Sequence, residues 1–508
     1  MKSLLGMLLL AGVLSVPVAA SAQTKGNFLG QTERPLRYRP VGTDFVIENG
    51  AEFFNRPLYG NNTPFRVDGG DKPEFLVYLP GRGGNLRFGI KTAAGLKWLH
   101  DARKITTLYR PGSLLYEIQD SLLGDGTLHL TALTLSGAQG LVVRAELRGT
   151  SAPVELVWAY GGANGTRGAR NGDIGTERIP ISQYFQFKPE FAQDNRFAFT
   201  GNTFTLQSKP GTVAGITPTG AKLAIADANR WASLGDLLAS VGPVQALPVL
   251  VGQVAMPSNQ PLFLSLERPG EEGKRAALRA DDLPALFDAA EKRRSTIAAR
   301  ITVETPDPFI NAAVAALCVA ADGVWDEKQG AFMHGAVAWR SKLLGWRGPY
   351  AGDALGQHDH TRRHLLNWFP QQVVEPIAPS LTSDGPAEPA RVPQDTSVNL
   401  ARNEPVLHSH GALTKSHYDM NLPAIDALFR HLLWTGDIAF AREQWPIIER
   451  HLAWERRLFR RPFGVDKLPL YEAYAAIWAS DDLQYHGGGV THASAYNYYH
   501  NKMAARIA

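Results

Sequence analysis

The sequence predicts a multidomain chain of β-then-α class, in which an antiparallel β-sandwich precedes a mainly helical region. From about residue 44 to residue 267, short apolar or alternating runs are separated by Gly, Asn, Asp and Pro. Such runs are typical of strands and turns in an antiparallel sandwich. After residue 281 the pattern changes to longer amphipathic runs, which indicate helices. We therefore expect two structural regions that meet near residue 280.

Four β-rich runs represent the first region. They are residues 75–79, 128–133, 141–147 and 154–158. Residues 281–300 then carry acidic side chains early and basic ones late, the distribution that the helix dipole favours, and predict a connecting helix. The helices predicted beyond it are 309–325, 353–369, 421–435, 437–459 and 492–508. Gly436 and Asp437 predict a tight turn between two of them, with Asp437 as the N-cap.

Composition and charge exclude several classes of protein. The chain has 508 residues, of which 44% are hydrophobic and 20% charged, so it can bury a large core and is not intrinsically disordered. Its positive and negative side chains nearly cancel, leaving a net charge of +4, whereas an obligate nucleic-acid binder is strongly basic. Cys318 is the only cysteine, so no disulfide can form within the chain, and we expect it to be a core residue.

The first 22 residues resemble a signal peptide. Lys2 provides a positive start, residues 4–18 form an apolar run, and Ala20-Ser21-Ala22 fits a cleavage site. The run is too short for a stable membrane span. We expect an exported bacterial protein, periplasmic or secreted, with no membrane segment after cleavage. A buried N-terminal helix is the alternative.

Groups capable of chemistry concentrate in the helical region. Twelve of the fourteen histidines fall between His334 and His500, interleaved with Trp, Tyr and acidic residues. Two segments are richest in such groups, residues 344–369 and residues 471–492. The side chains there that we predict to bind substrate are Trp346, Arg347, Asp359, His360, Glu472, Trp478, Tyr485 and His492.

Asp481 and Asp482 are the first candidates for catalysis. Cleavage of a glycosidic bond needs one carboxylic acid to protonate the leaving oxygen and one carboxylate to activate water or attack the sugar. Adjacent carboxylates repel each other, which raises the pKa of one toward the range of a general acid. Trp478 and Tyr485 lie nearby in the sequence. The alternative is that one Asp caps a turn and the other faces solvent.

Asp353 is the third catalytic candidate. It follows Gly352 where a helix is predicted to start, so an N-cap role is the simpler interpretation. Asp359 is spaced to pair with Arg363 on a helix surface.

Histidine spacing raises a metal-binding alternative. His358, His360 and His364 share one helix, and His408 and His410 are also close in sequence. However, no H-E-x-x-H motif or cysteine partner accompanies them, so we predict no metal site and no cofactor.

Five stretches carry a resemblance to a known family. They are RPLYGNN, TPDPFINAAVAALCVAADGVWD, FMHGAVAWR, LLGWRGPYAGDALG and WASDDLQYHGGGVTHASAYNY. They resemble a bacterial family of glycoside-hydrolase-like proteins known only as a domain of unknown function, within the six-hairpin glycosidase superfamily. The resemblance implies a supersandwich-like β-domain followed by an (α/α)6 toroid. It implies Asp481 or Asp482 as the catalytic acid, Asp353 as a substrate-holding carboxylate, and Trp346, Arg347, Trp478, Tyr485 and His492 along the cleft.

Combining residues and resemblance gives four segments. These are a signal peptide (1–22), a β-sandwich (23–280), a linker helix (281–300) and a partial toroid (301–508). Twelve helices need on the order of 350 residues, whereas 508 − 300 leaves 208, so we expect a C-terminally truncated toroid that lacks the general base.

The predicted function is an exported glycoside hydrolase, or the N-terminal portion of one, with a carbohydrate as its partner. A catalytically silent glycan-binding protein is the alternative from another class. A polysaccharide lyase using Tyr496 or Tyr499 with His492 is a further alternative, and so is a glycoside phosphorylase. The sequence leaves the sugar, the linkage, the stereochemical outcome and the oligomeric state open.

Overall fold

Antiparallel sheets form the N-terminal half of the described chain, and helices dominate the C-terminal half. The computed structural model describes residues 36–150, 152–168, 179–270, 279–334, 340–372, 374, 421–471 and 491–508. Residues 40–508 belong to one compact unit. The predicted order, antiparallel sheets first and helices later, is confirmed.

The strands are short, most of them four to nine residues long. In chain order they are β1 Arg39–Val41, β2 Asp44–Glu48, β3 Arg56–Tyr59, β4 Arg66–Gly69, β5 Glu74–Tyr78, β6 Arg82–Thr92, β7 Gly95–Trp98, β8 Lys104–Arg110, β9 Ser113–Gln119, β10 Thr127–Thr134, β11 Gly140–Arg148, β12 Glu155–Ala163, β13 Arg196–Thr200, β14 Thr203–Ser208, β15 Gly211–Ile216, β16 Lys222–Asp227, β17 Pro248–Ala255, β18 Leu262–Glu267, β19 Trp325–Asp326, β20 Ala331–Phe332, β21 Arg460–Phe463 and β22 Leu468–Tyr471. The four β-rich runs of the sequence correspond to β5, β10, β11 and β12.

Eighteen of these strands form two large sheets. The first has ten strands in the order β1-β2-β8-β9-β10-β11-β18-β15-β14-β13. The second has the order β16-β17-β12-β6-β5-β4-β3, with β7 beside β6. Neighbouring strands run antiparallel, as between β6 and β12, where Trp158 lies opposite Phe88. The remaining four strands form two small hairpins, β19-β20 and β21-β22.

The two large sheets share one hydrophobic core. Phe75 of β5 meets Tyr116 of β9 with ring centroids 5.9 Å apart, and Tyr160 of β12 meets Phe204 of β14 at the same distance. Alternating strand residues from both sheets, such as Leu86 and Leu130, are buried in this core. Burial of this apolar surface is the main force that holds the sheets together.

Several charged side chains inside the sheet region are paired with an opposite charge. Arg66 donates from Nε to Asp68 at 2.8 Å, and both residues are buried. Buried Glu74 accepts from Asn85 at 2.9 Å and from Arg87 at 2.7 Å. Such pairing offsets the cost of removing each charge from water.

The helices are α1 Ile181–Tyr184, α2 Leu234–Ala239, α3 Leu283–Ala298, α4 Pro308–Gly323, α5 Gly348–Ala354, α6 His358–Leu365, α7 Asn421–Thr435, α8 Ile438–Phe459 and α9 Thr491–Ile507. The predicted turn between α7 and α8 is present, since Gly436 has φ +63° and Asp437 caps α8 by accepting from the Phe440 amide at 2.9 Å. The side chains of α7, α8 and α9 build a second apolar core around Leu428 and Ile448. None of the helices within the described residues is both long and apolar enough to cross a membrane.

Helix α3 connects the sheets to the helices. Its Phe287 packs edge-on against Phe263 of β18, with ring centroids 5.7 Å apart. On the same helix Glu291 pairs with Arg110 of β8 at 2.9 Å. Arg293 then reaches Asp322 of α4 at 3.2 Å, so α4 is held against the sheet region through α3.

The prediction of one helix over residues 353–369 is wrong. Two short helices occupy this stretch, and the chain turns between them at Gly356, whose φ is +71°. Glycine adopts this left-handed conformation without the steric cost that other residues pay. Asp353 therefore lies in the last turn of α5 and caps neither helix, because Arg347 and Gln357 occupy the N-cap positions. The N-cap interpretation of Asp353 is also wrong.

Candidate functional site

A cavity of about 360 Å³ opens between α7 and α9. Its lining residues come from one face of each helix, because Asp426 and Arg430 are one turn apart on α7, and the α9 residues follow the helical spacing of three and four. The α9 residues are His492, Ala495, Tyr496 and Tyr499. The cavity thus combines a carboxylate, a guanidinium, an imidazole and two phenol rings.

Asp426 is the buried charge of this cavity. Its carboxylate accepts from the Tyr350 hydroxyl at 2.6 Å and from Arg430 Nε at 2.7 Å, and only 2% of the residue is exposed. His500 Nε2 lies 3.5 Å from the other carboxylate oxygen. Burial alone would raise the pKa of Asp426, but the contacts with His500, Tyr350 and Arg430 outweigh it and hold the pKa below its usual value. Asp426 is therefore ionised at neutral pH, able to accept a proton or a hydroxyl hydrogen bond but not to donate one.

The tyrosines around Asp426 remain protonated. Burial, together with the nearby charge of Asp426, raises the pKa of Tyr350 well above its usual value. The same two causes raise the pKa of Tyr496, although a hydrogen bond with Arg347 acts in the opposite direction. Both phenols are thus hydrogen-bond donors at neutral pH, and Tyr496 is part of the cavity lining.

A group of fully buried polar side chains lies behind the cavity on α8 and α9. Asn497 donates to Glu455 across 3.4 Å, and the ring of His451 lies 6.3 Å from that of His500. Burial raises the pKa of Glu455 and lowers those of His451 and His500. Among the described residues, neither ring nitrogen of His451 has a hydrogen-bond partner. Unsatisfied buried groups of this kind are uncommon in proteins and cluster at functional sites.

A second polar cluster joins α5, α6 and α7. Asp353 Oδ1 contacts His358 Nδ1 at 2.8 Å and His431 Nδ1 at 2.9 Å. Asp353 and His431 are buried, whereas the side chain of His358 is 41% exposed. Helix α5 links this cluster to the cavity, because its Tyr350 contacts Asp426 one turn before Asp353 contacts His431.

Two of the predicted substrate-binding residues lie at the cavity. His492 is part of its lining, and its Nε2 is buried without a partner among the described residues. Arg347 contacts the cavity residue Tyr496. Trp346 is its sequence neighbour and packs edge-on against His334, with ring centroids 4.3 Å apart.

Three other predicted residues do not line the cavity. Asp353 belongs to the cluster with His358 and His431. Asp359 is exposed on α6, and His360 stacks on Trp325 with ring centroids 4.1 Å apart. Their roles in substrate binding or catalysis stay predictions.

The three histidines of α6 do not form the group of possible metal ligands that their spacing suggested. His364 does not face a ligand site with His360, since its Nδ1 accepts the Phe332 amide at 3.1 Å. Burial lowers the pKa of His364 to about 3, so the ring is neutral. Among the described residues, the group whose ligand atoms lie within 4.8 Å of one another is Asp353, His358 and His431.

Five predicted site residues lie outside the described residues. They are Glu472, Trp478, Asp481, Asp482 and Tyr485. The described residues on either side of this segment are Tyr471 and Thr491. The Tyr471 amide donates to Ser494 Oγ at 3.1 Å, so both flanks lie at the first turn of α9, beside the cavity. His408 and His410 are also outside the described residues.

Sequence reasoning missed Asp426 and Arg430. Both lie in the mainly apolar sequence of α7, where the neighbours of Asp426 are isoleucine, leucine and alanine. One signal was available, because an acidic residue on the buried face of a helix requires a partner, and an arginine follows it at the i,i+4 spacing.

Comparisons with known proteins give a partial family match and two similar structures. The family model described as a domain of unknown function (DUF4450) matches residues 79–291, which cover most of the sheet region and the start of α3. No curated protein matches the chain.

Two solved structures are similar over most of this chain. One is described as a kojibiose phosphorylase from the human microbiome (TM-score 0.44, 7% identity, covering 93% of this chain and 65% of that one). The other is a bacterial glucoamylase complexed with acarbose (TM-score 0.41, 9% identity, covering 90% of this chain and 68% of that one). This chain therefore spans less than two thirds of the length of the phosphorylase.

Proposed function

We propose that this protein is an exported carbohydrate-active enzyme that cleaves glycosidic bonds, with the sugar bound in the cavity between α7 and α9. The observation that carries the proposal is the buried, ionised Asp426 beside Arg430, facing the rings of Tyr496 and Tyr499. A carboxylate and a guanidinium bind sugar hydroxyls through charge-assisted hydrogen bonds. Aromatic rings cover the apolar faces of a sugar ring.

The size of the cavity also suits a saccharide. Its volume of about 360 Å³ lies at the lower end of the range of small-molecule sites. A cavity of this volume could hold one sugar unit of an oligosaccharide.

Asp426 suits the role of the catalytic base or of a carboxylate that holds a hydroxyl group. Its lowered pKa keeps it ionised, so a second carboxyl group must protonate the leaving oxygen. We assign this acid to Asp481 or Asp482, as the sequence predicts. The position of Tyr471 and Thr491 beside the cavity supports that assignment, since the segment that carries both acids joins these residues.

We also propose the architecture of the whole enzyme and its export from the cell. The helices from α4 to α9 would form part of an (α/α)6 toroid of the six-hairpin glycosidase type, and the two sheets would form its β-sandwich domain. The signal-peptide pattern of residues 1–22 supports export to the periplasm or the medium.

The test is turnover of oligosaccharides by the purified chain and by its Asp426→Asn variant. Product release from a panel of α- and β-linked glycans is followed by reducing-end assay, and binding by calorimetry. Loss of the charge at residue 426 should lower turnover about 100- to 10,000-fold, the usual contribution of a positioned acid–base group. Asp288→Asn, at an exposed position of α3, is the matched control and should retain activity. Full activity in Asp426→Asn would refute the assignment.

The same panel separates the remaining alternatives. Activity that requires inorganic phosphate would identify a phosphorylase. Binding of an oligosaccharide without any turnover would identify a glycan-binding protein. If Asp481→Asn and Asp482→Asn both keep full turnover, the acid lies elsewhere.

A polysaccharide lyase is the second candidate, because Tyr496, Tyr499 and His492 line one cavity. A lyase needs a base that removes the proton next to a uronate, and Arg430 could face the uronate carboxylate. The raised pKa of Tyr496 argues against it as that base. Ultraviolet absorbance of an unsaturated product from polyuronates would favour the lyase over the hydrolase.

A further inference from the structure

We propose that Asp353, His358 and His431 form a binding site for a first-row divalent transition-metal ion, with zinc as the reference ion. The site is separate from the cavity lining, and the proposal does not depend on the glycosidic activity. Two imidazole nitrogens and one carboxylate oxygen are the ligand types that zinc and iron(II) accept.

The local fold brings the three ligands together. Gly356, with its positive φ, reverses the chain after α5, and the Gln357 amide bonds back to the Gly352 carbonyl at 2.8 Å. This turn places His358, the first residue of α6, over Asp353. The packing of α5 against α7, fixed by the bond from Tyr350 to Asp426, brings His431 to the same carboxylate oxygen.

The distances between the ligand atoms fit an ion after a small adjustment. The Nδ1 atoms lie 2.8 and 2.9 Å from Asp353 Oδ1, and all three ligand atoms fall within 4.8 Å of one another. Ligands of a tetrahedral zinc ion, each about 2.0–2.1 Å from the metal, are separated by about 3.3 Å. Each separation between an Nδ1 atom and Asp353 Oδ1 must therefore widen by about half an ångström. The half-exposed His358 can provide its share by rotating its side chain, whereas the buried His431 needs a shift of the Asp353 carboxylate.

The surroundings of the three residues suit a metal ion with one coordination position open to solvent. Asp353 and His431 are each 2% exposed, whereas His358 is 41% exposed and leaves a route to solvent. Three protein ligands with one open side are typical of zinc sites that bind water or substrate in the fourth position. Arg362, one turn after His358 on α6, stacks over Phe440 and pairs with Asp437 at 3.3 Å, so its charge is already compensated.

Metal binding changes the protonation of the rings. Without an ion, a carboxylate at Asp353 can only accept, so each imidazole donates a hydrogen bond to it from Nδ1. An ion on Nδ1 displaces that proton, and the metal-bound neutral ring carries its proton on Nε2. This tautomer change gives the proposal a spectroscopic readout that is independent of enzymatic activity.

The experiment measures zinc binding by the full chain without an oligohistidine tag, after removal of metals with a chelator. Equilibrium dialysis with elemental analysis should give about one zinc per chain, and nitrogen NMR should show two imidazoles bound through Nδ1. Magnesium prefers oxygen ligands and should not compete.

His358→Ala is the primary variant, because its half-exposed side chain can be removed without opening the core. We expect it to weaken zinc binding at least about 100-fold, more than the loss of an outer-shell contact would. Asp353→Asn keeps the shape and an acceptor oxygen but removes the charge, and should weaken binding similarly.

His100→Ala is the matched control. His100 also lies next to an aspartate, Asp101 at 3.4 Å, but the described residues provide no third ligand there. It should bind zinc like the unmodified protein. The proposal is overturned if the folded protein binds no zinc, or if His358→Ala and Asp353→Asn bind it as tightly as the unmodified chain.

Discussion

The sheet region and the helical region both bury ionisable side chains, but the partners of those side chains differ. In the sheets, Arg66 meets Asp68 and Glu74 meets Arg87, so these four side chains each have an opposite charge beside them. In the helices, Glu455 and His451 are fully buried with few partners, directly behind an open cavity. Paired burial is compatible with a purely structural role. Buried groups with shifted pKa values beside a cavity indicate a functional site.

The largest expected effect tests the structural side of this comparison. Arg66→Met leaves Asp68 as an unpaired carboxylate in the sheet core, and should lower the free energy of unfolding by about 3–5 kcal/mol. Chemical denaturation measures the loss. The double variant Arg66→Met/Asp68→Leu should recover most of it, because both charges are then absent.

The half-exposed pair of Lys91 and Glu155 is the control for that prediction. Lys91→Met should cost less than about 1 kcal/mol, since exposed ion pairs contribute little. An equal loss in Arg66→Met and Lys91→Met would remove the distinction between paired burial and surface pairing.

The next prediction concerns the hydrogen bond from Tyr350 that stabilises the ionised form of Asp426. Tyr350→Phe removes the 2.6 Å hydrogen bond to this carboxylate and should cost about 1.5–3 kcal/mol at neutral pH. The pKa of Asp426 should rise, because a donor that favours its charged form is lost. A carboxyl group whose pKa is lowered by folding stabilises the protein at pH values above its ordinary pKa of 3.8. This stabilisation disappears as the pH falls through the folded-state pKa. The loss in Tyr350→Phe should therefore shrink toward acid pH.

Unfolding curves across the acid range and the acid limb of the turnover profile check this prediction. Tyr498→Phe, at an exposed position of α9, should change neither. A constant loss across that range would show that Tyr350 acts through packing and not through the charge of Asp426.

The last prediction tests whether Glu455 is held neutral. Burial raises its pKa well above 4.5, so its contribution to stability is complete below that pH and is lost as the pH rises toward the folded-state pKa. Glu455→Gln cannot ionise, so its stability should exceed that of the unmodified protein by about 1.4 kcal/mol for each pH unit inside this window. Denaturation at several pH values measures the difference.

The same exchange at the exposed Glu449 should leave the pH dependence of unfolding nearly unchanged. If Glu455→Gln and Glu449→Gln behave alike, Glu455 is not held neutral by burial, and the contrast between the two regions weakens.

Local sequence patterns predicted many elements but not the composition of the cavity. The α7–α8 turn follows from Gly436 and Asp437 alone, because a left-handed glycine and a capping aspartate act on their own neighbours. The break after Asp353 was missed, since a single glycine inside a helical pattern does not by itself reveal whether the helix continues. Asp426 was missed because its partners, Tyr350 and His500, are distant along the chain.

The sequence by itself determined the division into sheets and helices, the strand pattern and the caps, since these depend on side-chain periodicity and on contacts between near neighbours. Only the tertiary structure decided which polar groups meet. Asp353 and His431 are separated by 78 positions and yet share a hydrogen bond, because α5 and α7 bury their apolar faces against each other. Packing of that kind depends on the shapes of whole elements, which no local pattern records.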